Sequence, residues 1–162
     1  MVTELTTAQI WAMLEQVKDP EIPAVSLIEM GIIRDVNVVE NCVTVIMTPT
    51  FSGCPALAVM EEEIRASILA LGAEQCHVQK QFNPPWTSDW ISNEGRRKLK
   101  EFGLAPPRRH GGQIEIVLFE PAVCPRCQSS DTSLKNDFGT TLCRSIYVCN
   151  RCQEPFEQFK AL

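Results

Sequence analysis

Long apolar runs are missing. No stretch of the 162 residues approaches the roughly eighteen consecutive apolar positions of a membrane-spanning helix, so none is expected. Positive charge is also scarce: 15 Lys and Arg against 20 Asp and Glu leave a net charge of −5, whereas nucleic-acid binders normally present a basic surface. The paired Glu-x-x-His motifs of a bundle di-iron site, a nucleotide-binding loop and a flavin fingerprint are absent, so the chain has no apparatus of its own for oxygen chemistry. Met1-Val2-Thr3-Glu4-Leu5 has neither the basic nor the apolar region of a secretory leader, and the expectation is a cytoplasmic protein with reduced thiols.

Cysteine, by contrast, is abundant, with eight residues. Four of them form Cys124-Pro-Arg-Cys127 and Cys149-Asn-Arg-Cys152, with twenty-one residues between. A Cys-x-x-Cys turn aims two thiolates at one point, and two such turns at the ends of a hairpin supply a tetrahedral ion with four sulfurs. Thr132 and Leu134 alternate as a strand would, as do Leu142, Ile146, Tyr147 and Val148, and Asp137-Phe138-Gly139 supplies the reversal. A structural zinc ribbon is the reading. Disulfides and a redox-active Cys-x-x-Cys are the alternatives, although no helical pattern follows either turn as redox chemistry of the thioredoxin type would need. Cys143, six residues before Cys149, is a fifth thiol; it is either incidental or serves redox or metal exchange.

A ribbon of this size does not fold without its metal. The remainder is long enough for one compact domain, which sets the expected boundaries at residues 1–119 for an α/β domain and 120–162 for the ribbon. The first carries 15 acids and 10 bases, the second 5 of each. Only the stretch from Arg96 to Arg109 is locally basic, with six basic residues against Glu101, and reads as a solvated helix face or a docking surface for acid groups.

Ile10, Met13, Leu14 and Val17 share one face of a helix expected from Thr6 to Lys18. Residues Glu21 to Leu27 should be an extended loop held by Pro20 and Pro23. Ile32–Val39 and Cys42–Thr48 flank Glu40-Asn41 as a hairpin. A helix follows from Pro55 to Leu71, ended by Gly72, then a strand at Cys76–Phe82, a basic helix near Ile91–Phe102 and a short strand Ile114–Phe119. The order α-β-β-α-β-α predicts an α+β fold, a small two-layer sandwich with a mixed sheet, followed by the ribbon.

In Thr48-Pro-Thr-Phe-Ser-Gly-Cys-Pro55, proline at the first helical position would place Cys54 at the N-cap, where amides and the helix dipole favour a thiolate. A cysteine beside glycine and proline also fills a tight turn without chemistry, and both readings stand. Asp19 and Glu21 straddle Pro20 and could face one cleft or simply cap and solvate. His77 should face outward, and Trp86 and Trp90 read as core or interface anchors.

Together, Asp19-Pro-Glu-Ile-Pro23, Thr48–Pro55 and Trp86-Thr-Ser-Asp-Trp90 resemble the iron–sulfur assembly family. With the two Cys-x-x-Cys turns, Phe138-Gly-Thr-Thr-Leu-Cys143 and Gln153-Glu-Pro-Phe156, the chain from about residue 10 onward resembles the D proteins of bacterial phenylacetate pathways. Phe51 and Pro85 depart mildly, standing where relatives often carry Tyr and Ala. The resemblance implies a maturation factor, not a catalyst, for the phenylacetyl-CoA epoxidase, with its oxygenase and reductase subunits as partners. It maps the family's loop cysteine onto Cys54, with Asp19, Glu21 and Thr50 in matching motifs, and implies transient handling of iron or an iron–sulfur cluster beside the structural zinc. A stable non-catalytic subunit and a zinc-ribbon nucleic-acid binder are the competing classes, with no nucleic acid and no membrane expected among the partners. A homo-oligomer is compatible with the sequence.

Overall fold

The computed structural model describes residues 4–118 and 120–162. They divide into two compact units at Trp86/Thr87. That division by packing lies ahead of the 119/120 boundary read from the sequence.

In the first unit, α1 (Thr7–Leu14) opens with a capping box: the Gln9 amide donates to the Thr6 hydroxyl, and the Gln9 side chain accepts from the Thr6 amide. It is shorter than its apolar periodicity predicts. The chain tightens through Gln16 and Val17 amides bonding to Met13 and Leu14 carbonyls, which carries Val17 into the core as a turn. Strands β1 (Ile33–Val39) and β2 (Cys42–Met47) form the expected hairpin, with Glu40 and Asn41 both at positive φ, 47° and 64°. Such angles match the right-handed twist of the strands, and Asn tolerates them well. Helix α2 (Leu57–Ala70) then returns the chain to β3 (Gln75–Lys80), which lies parallel to β2. The sheet, β1-β2-β3, is therefore mixed, as expected.

Val43, Val45 and Met47 lie on one face of β2 and are fully buried. Ile10 and Leu14 of α1 and Met60, Ile64 and Ile68 of α2 form the buried faces of the two helices. Each such side chain contributes about 1.5–3 kcal/mol by leaving water. The segment between α1 and β1 is not extended, contrary to the sequence expectation. It is a chain of tight turns, with Ile22 bonded to Asp19 and Val25 to Ile22, and it buries Ile22, Val25, Leu27 and Met30. Prolines exclude helix, but they are equally at home in turns, and four apolar residues make burial the stronger demand. The one Glu-x-x-His spacing, Glu74 to His77, runs into β3, where His77 is exposed.

The second unit begins with a 3₁₀ turn, Ser88–Trp90, and α3 (Asn93–Phe102), capped by Ser92 and ended by Gly103 at φ 92°. β4 (Leu104–Ala105) pairs with β7 (Pro155–Phe159), giving a sheet β4-β7-β6-β5 with β5 (Thr132–Asn136) and β6 (Arg144–Cys149). Residues Ile114–Leu118 form the short helix α4, not the expected strand, and Phe119 lies outside the described residues. A short apolar run rich in β-branched residues does not distinguish helix from strand, and no ladder partner takes this one among the described residues.

Candidate functional site

The ribbon brings its four cysteines together. Each knuckle closes by the same bond, Gln128 N–H to Cys124 O and Gln153 N–H to Cys149 O, both 2.9 Å. Gln128 and Gln153 sit at φ 61° and 62°, so each turn reverses sharply enough to aim both sulfurs inward. All four sulfurs lie within 4.8 Å of one another, with Cys124···Cys152 at 3.8 Å and Cys127···Cys149 at 3.5 Å. Zn–S bonds of about 2.3 Å in a tetrahedron place sulfurs about 3.8 Å apart, so the donor set fits zinc. Cys124 and Cys149 are buried, whereas Cys127 and Cys152 are half-exposed.

The amides of Cys152 and Arg151 point at the Cys149 sulfur and bring its pKa down to about 7. At Cys152 the Glu154 amide acts in the same sense, but desolvation and the adjoining thiols prevail and push it up to about 12. Four thiols this close release their last protons only to a cation. Arg126, inside the first knuckle, bonds Glu154, just past the second, at 2.6 Å. Both ends are well exposed, so Glu154→Ala is expected to change stability by less than about 1 kcal/mol, measured by denaturant unfolding of the zinc-loaded protein.

Cys143 lies outside this set. It precedes β6, at the end opposite Cys149; six residues of strand separate them by about 20 Å. Its buried sulfur lies 3.0 Å from the Thr141 hydroxyl instead.

The loop residues occupy the first unit. Asp19 accepts from the Glu21 and Ile22 amides at 2.8 and 3.1 Å, so its carboxylate organises the Pro20 turn. Glu21 is half-buried, as are Thr50 and Cys54. Cys54 is not the N-cap. That position falls to Ala56, which makes no side-chain cap bond, because the chain first makes two successive turns, Cys54 N–H to Phe51 O and Leu57 N–H to Cys54 O. Proline does not force the helix to begin beside it. Among the described residues, the ribbon is the only place where three or more Cys, His, Asp or Glu ligand atoms converge, so Cys54, Asp19 and Glu21 do not form a ready metal cage. Thr50 lines a cleft of about 240 Å³ with Thr48, Pro49, Phe51, Ser52, Phe82, Pro85 and Trp86. Trp86 anchors it through an indole N–H to Met30 O at 2.9 Å.

The four arginines of the basic stretch are spent internally. Arg96 donates to Ser88, Ile91 and Pro107 carbonyls, Arg97 pairs with Glu94 and Glu101, Arg108 with Glu120, and Arg109 with the Asp89 and Ile91 carbonyls and Asn93. Sequence inspection counts the charges but not these carbonyl acceptors. It also says little of His110, whose partners come from residues 23 and 52 positions away.

Comparison with known proteins gives two family matches: residues 7–79 to "Iron-sulfur cluster assembly protein" and residues 119–160 to "PaaD zinc beta ribbon domain". The chain is 38% identical over 155 residues to an Escherichia coli (strain K12) protein named as a putative subunit of 1,2-phenylacetyl-CoA epoxidase, covering 95% of this chain and 92% of that one. It is 35% identical over 96 residues to an "Fe-S protein maturation auxiliary factor" of Porphyromonas gingivalis, covering 58% of this chain and 90% of the relative. Among solved structures it is similar to a domain of unknown function, DUF59, from Bacillus anthracis, with TM-score 0.52 and 28% identity over 57% of this chain and 89% of that one. A conserved hypothetical protein of Thermotoga maritima gives TM-score 0.53 and 27% identity over 61% and 98%.

Proposed function

The chain belongs to the PaaD family, and from this we propose that it is a maturation factor for a phenylacetyl-CoA epoxidase, helping to install the iron–sulfur or di-iron centre of the oxygenase or reductase. The observation that carries the reading is the coupling, in one chain, of an iron–sulfur assembly domain to a metal ribbon whose four protein ligands leave no open coordination position. Such a ribbon is suited to structure and protein contact. Iron chemistry then falls to the first unit, where Cys54 would hold iron or a cluster transiently, with Thr50 on the same loop, Asp19 and Glu21 in the turns after α1, and the remaining ligands coming from the client. The protein acts in this reading as an auxiliary and turns over no substrate.

The test is to produce oxygenase and reductase with and without this protein and to measure their iron, cluster content and activity. Clients made without it should be short of metal, and Cys54→Ser should fail to restore them while folding normally and keeping its zinc. A second reading, that of a stable component of the epoxidase complex, rests on the name of the E. coli relative. Fully metallated enzyme that stays inactive until this chain is added stoichiometrically would replace maturation by that role.

A further inference from the structure

Four donors converge on one oxygen in the second unit. The Leu162 oxygen accepts from the Thr87 hydroxyl at 2.8 Å, the Ser88 amide at 2.9 Å and the Ser88 hydroxyl at 3.3 Å, and lies 3.0 Å from His110 Nε2. The Leu162 amide returns a bond to Ser88 Oγ at 3.2 Å. The histidine's tautomer follows from its other nitrogen. Gly112 N–H donates to Nδ1 at 3.0 Å, so Nδ1 offers its lone pair and Nε2 carries the proton that points at Leu162 and at Thr87 Oγ.

The pocket is built with care behind these donors. Ser88 is fully buried and the His110 side chain only 7% exposed. The Asp89 carboxylate accepts from the His110 and Gly111 amides at 3.0 and 2.7 Å, which fixes the loop that carries the imidazole. Arg96 bonds the Ser88 carbonyl at 2.7 Å, and Arg109 bonds that of Asp89 at 2.8 Å, which fixes the turn that carries the two hydroxyls. A peptide oxygen has two lone pairs and ordinarily accepts one or two bonds; four donors around one atom make a recognition site for a main-chain oxygen, carbonyl or carboxylate.

We propose that Thr87, Ser88 and His110 form a donor pocket for a main-chain oxygen, occupied in cis by Leu162, and that it latches the segment following β7 onto the Ser88–Trp90 turn. Since β7 is the strand that continues from the second metal knuckle, the latch makes the metal-dependent ribbon and the turn one cooperative piece. The acceptor chemistry is shared by a main-chain carbonyl and a carboxylate.

The experiment is NMR on the zinc-loaded 162-residue chain. The imidazole should show the Nε2–H tautomer, and Leu162 should have the same backbone order as β7. In the double variant Thr87→Val, Ser88→Ala, and separately in His110→Ala, exchange of the Leu162 amide should rise at least about tenfold while β1–β3 amides are unchanged. A chain with two glycines added after Leu162 distinguishes the sources: loss of order identifies a carboxylate, and retained order a carbonyl. A disordered Leu162 in the unaltered chain, an Nδ1–H tautomer, or unchanged exchange in folded variants would overturn the latch, and the tautomer measurement decides even if neither variant folds.

Discussion

Cys124→Ser is expected to abolish the ribbon's metal site and with it the fold of β5–β7, leaving residues 4–86 intact. The packed cluster in this part of the chain consists of Ala105, Ala122, Cys124, Cys149 and Phe156, flanked by Cys127, Tyr147 and Cys152. Four of those eight are the ligands themselves, and what remains of the cluster centres on the stacked Tyr147–Phe156 pair, with centroids 5.8 Å apart. A pair of rings contributes about 0.5–1.5 kcal/mol beyond its burial, whereas a structural zinc contributes about 10–16 kcal/mol of apparent binding free energy. Elemental analysis should therefore give about one zinc per unaltered chain and none for the variant, with amide protection lost in β5–β7 and in the β4 strand and Ser88–Trp90 turn bonded to that segment, and kept in β1–β3. A Cys124→Ser protein that keeps stoichiometric zinc and ribbon protection would refute the assignment.

Gly139→Ala is expected to destabilise the zinc-loaded second unit by about 2–4 kcal/mol, because it dismantles a largely buried ion pair. A methyl group there would sit 2.5 Å from Glu157 Oε1 and 3.0 Å from Arg144 Cβ. Glu157 has little freedom to retreat, since it accepts from the Thr140 amide at 2.7 Å and from Arg144 at 3.1 Å, and Arg144 is only 8% exposed. Burial alone would raise the Glu157 pKa; the Thr140 amide, the Arg144 guanidinium and the Thr140 hydroxyl together lower it instead. A carboxylate depressed in the folded state stabilises above its unfolded pKa, near 4.3, and that contribution disappears as pH falls through the lower folded value. Urea unfolding at neutral pH should show the loss in Gly139→Ala and in Glu157→Gln. Glu157→Gln should converge on the parent as the acid limit is approached, and a neutral-pH difference below about 0.5 kcal/mol would contradict the ion pair's role.

Local signals are readable where the chain decides locally. The Glu40-Asn41 hairpin, the four-sulfur ribbon and the mixed sheet follow from turn chemistry, spacing and β-branched runs. Ile114–Leu118 reads as a strand and folds as a helix because so short an apolar run fits either periodicity. Cys54 reads as an N-cap because proline permits a helix start without requiring one, and two turns intervene. The Pro20–Ile32 segment folds inward for the sake of buried contacts that no local rule reports. His110, Ser88 and Arg96 gain their meaning from partners distant in sequence, so composition shows a basic stretch where the fold has a set of carbonyl clamps.

The asymmetric burial of the ribbon's sulfurs makes two of the four donors the accessible ones for a competing ligand. Cys124 and Cys149 are sealed, while Cys127 and Cys152 remain half-open to solvent. An incoming thiolate or chelator would therefore reach Cys127 and Cys152, one donor from each knuckle, before Cys124 and Cys149. Competitor-dependent zinc release at a rate first order in chelator, without loss of ribbon protection, is the outcome this asymmetry leads one to expect, and release limited by unfolding would contradict it.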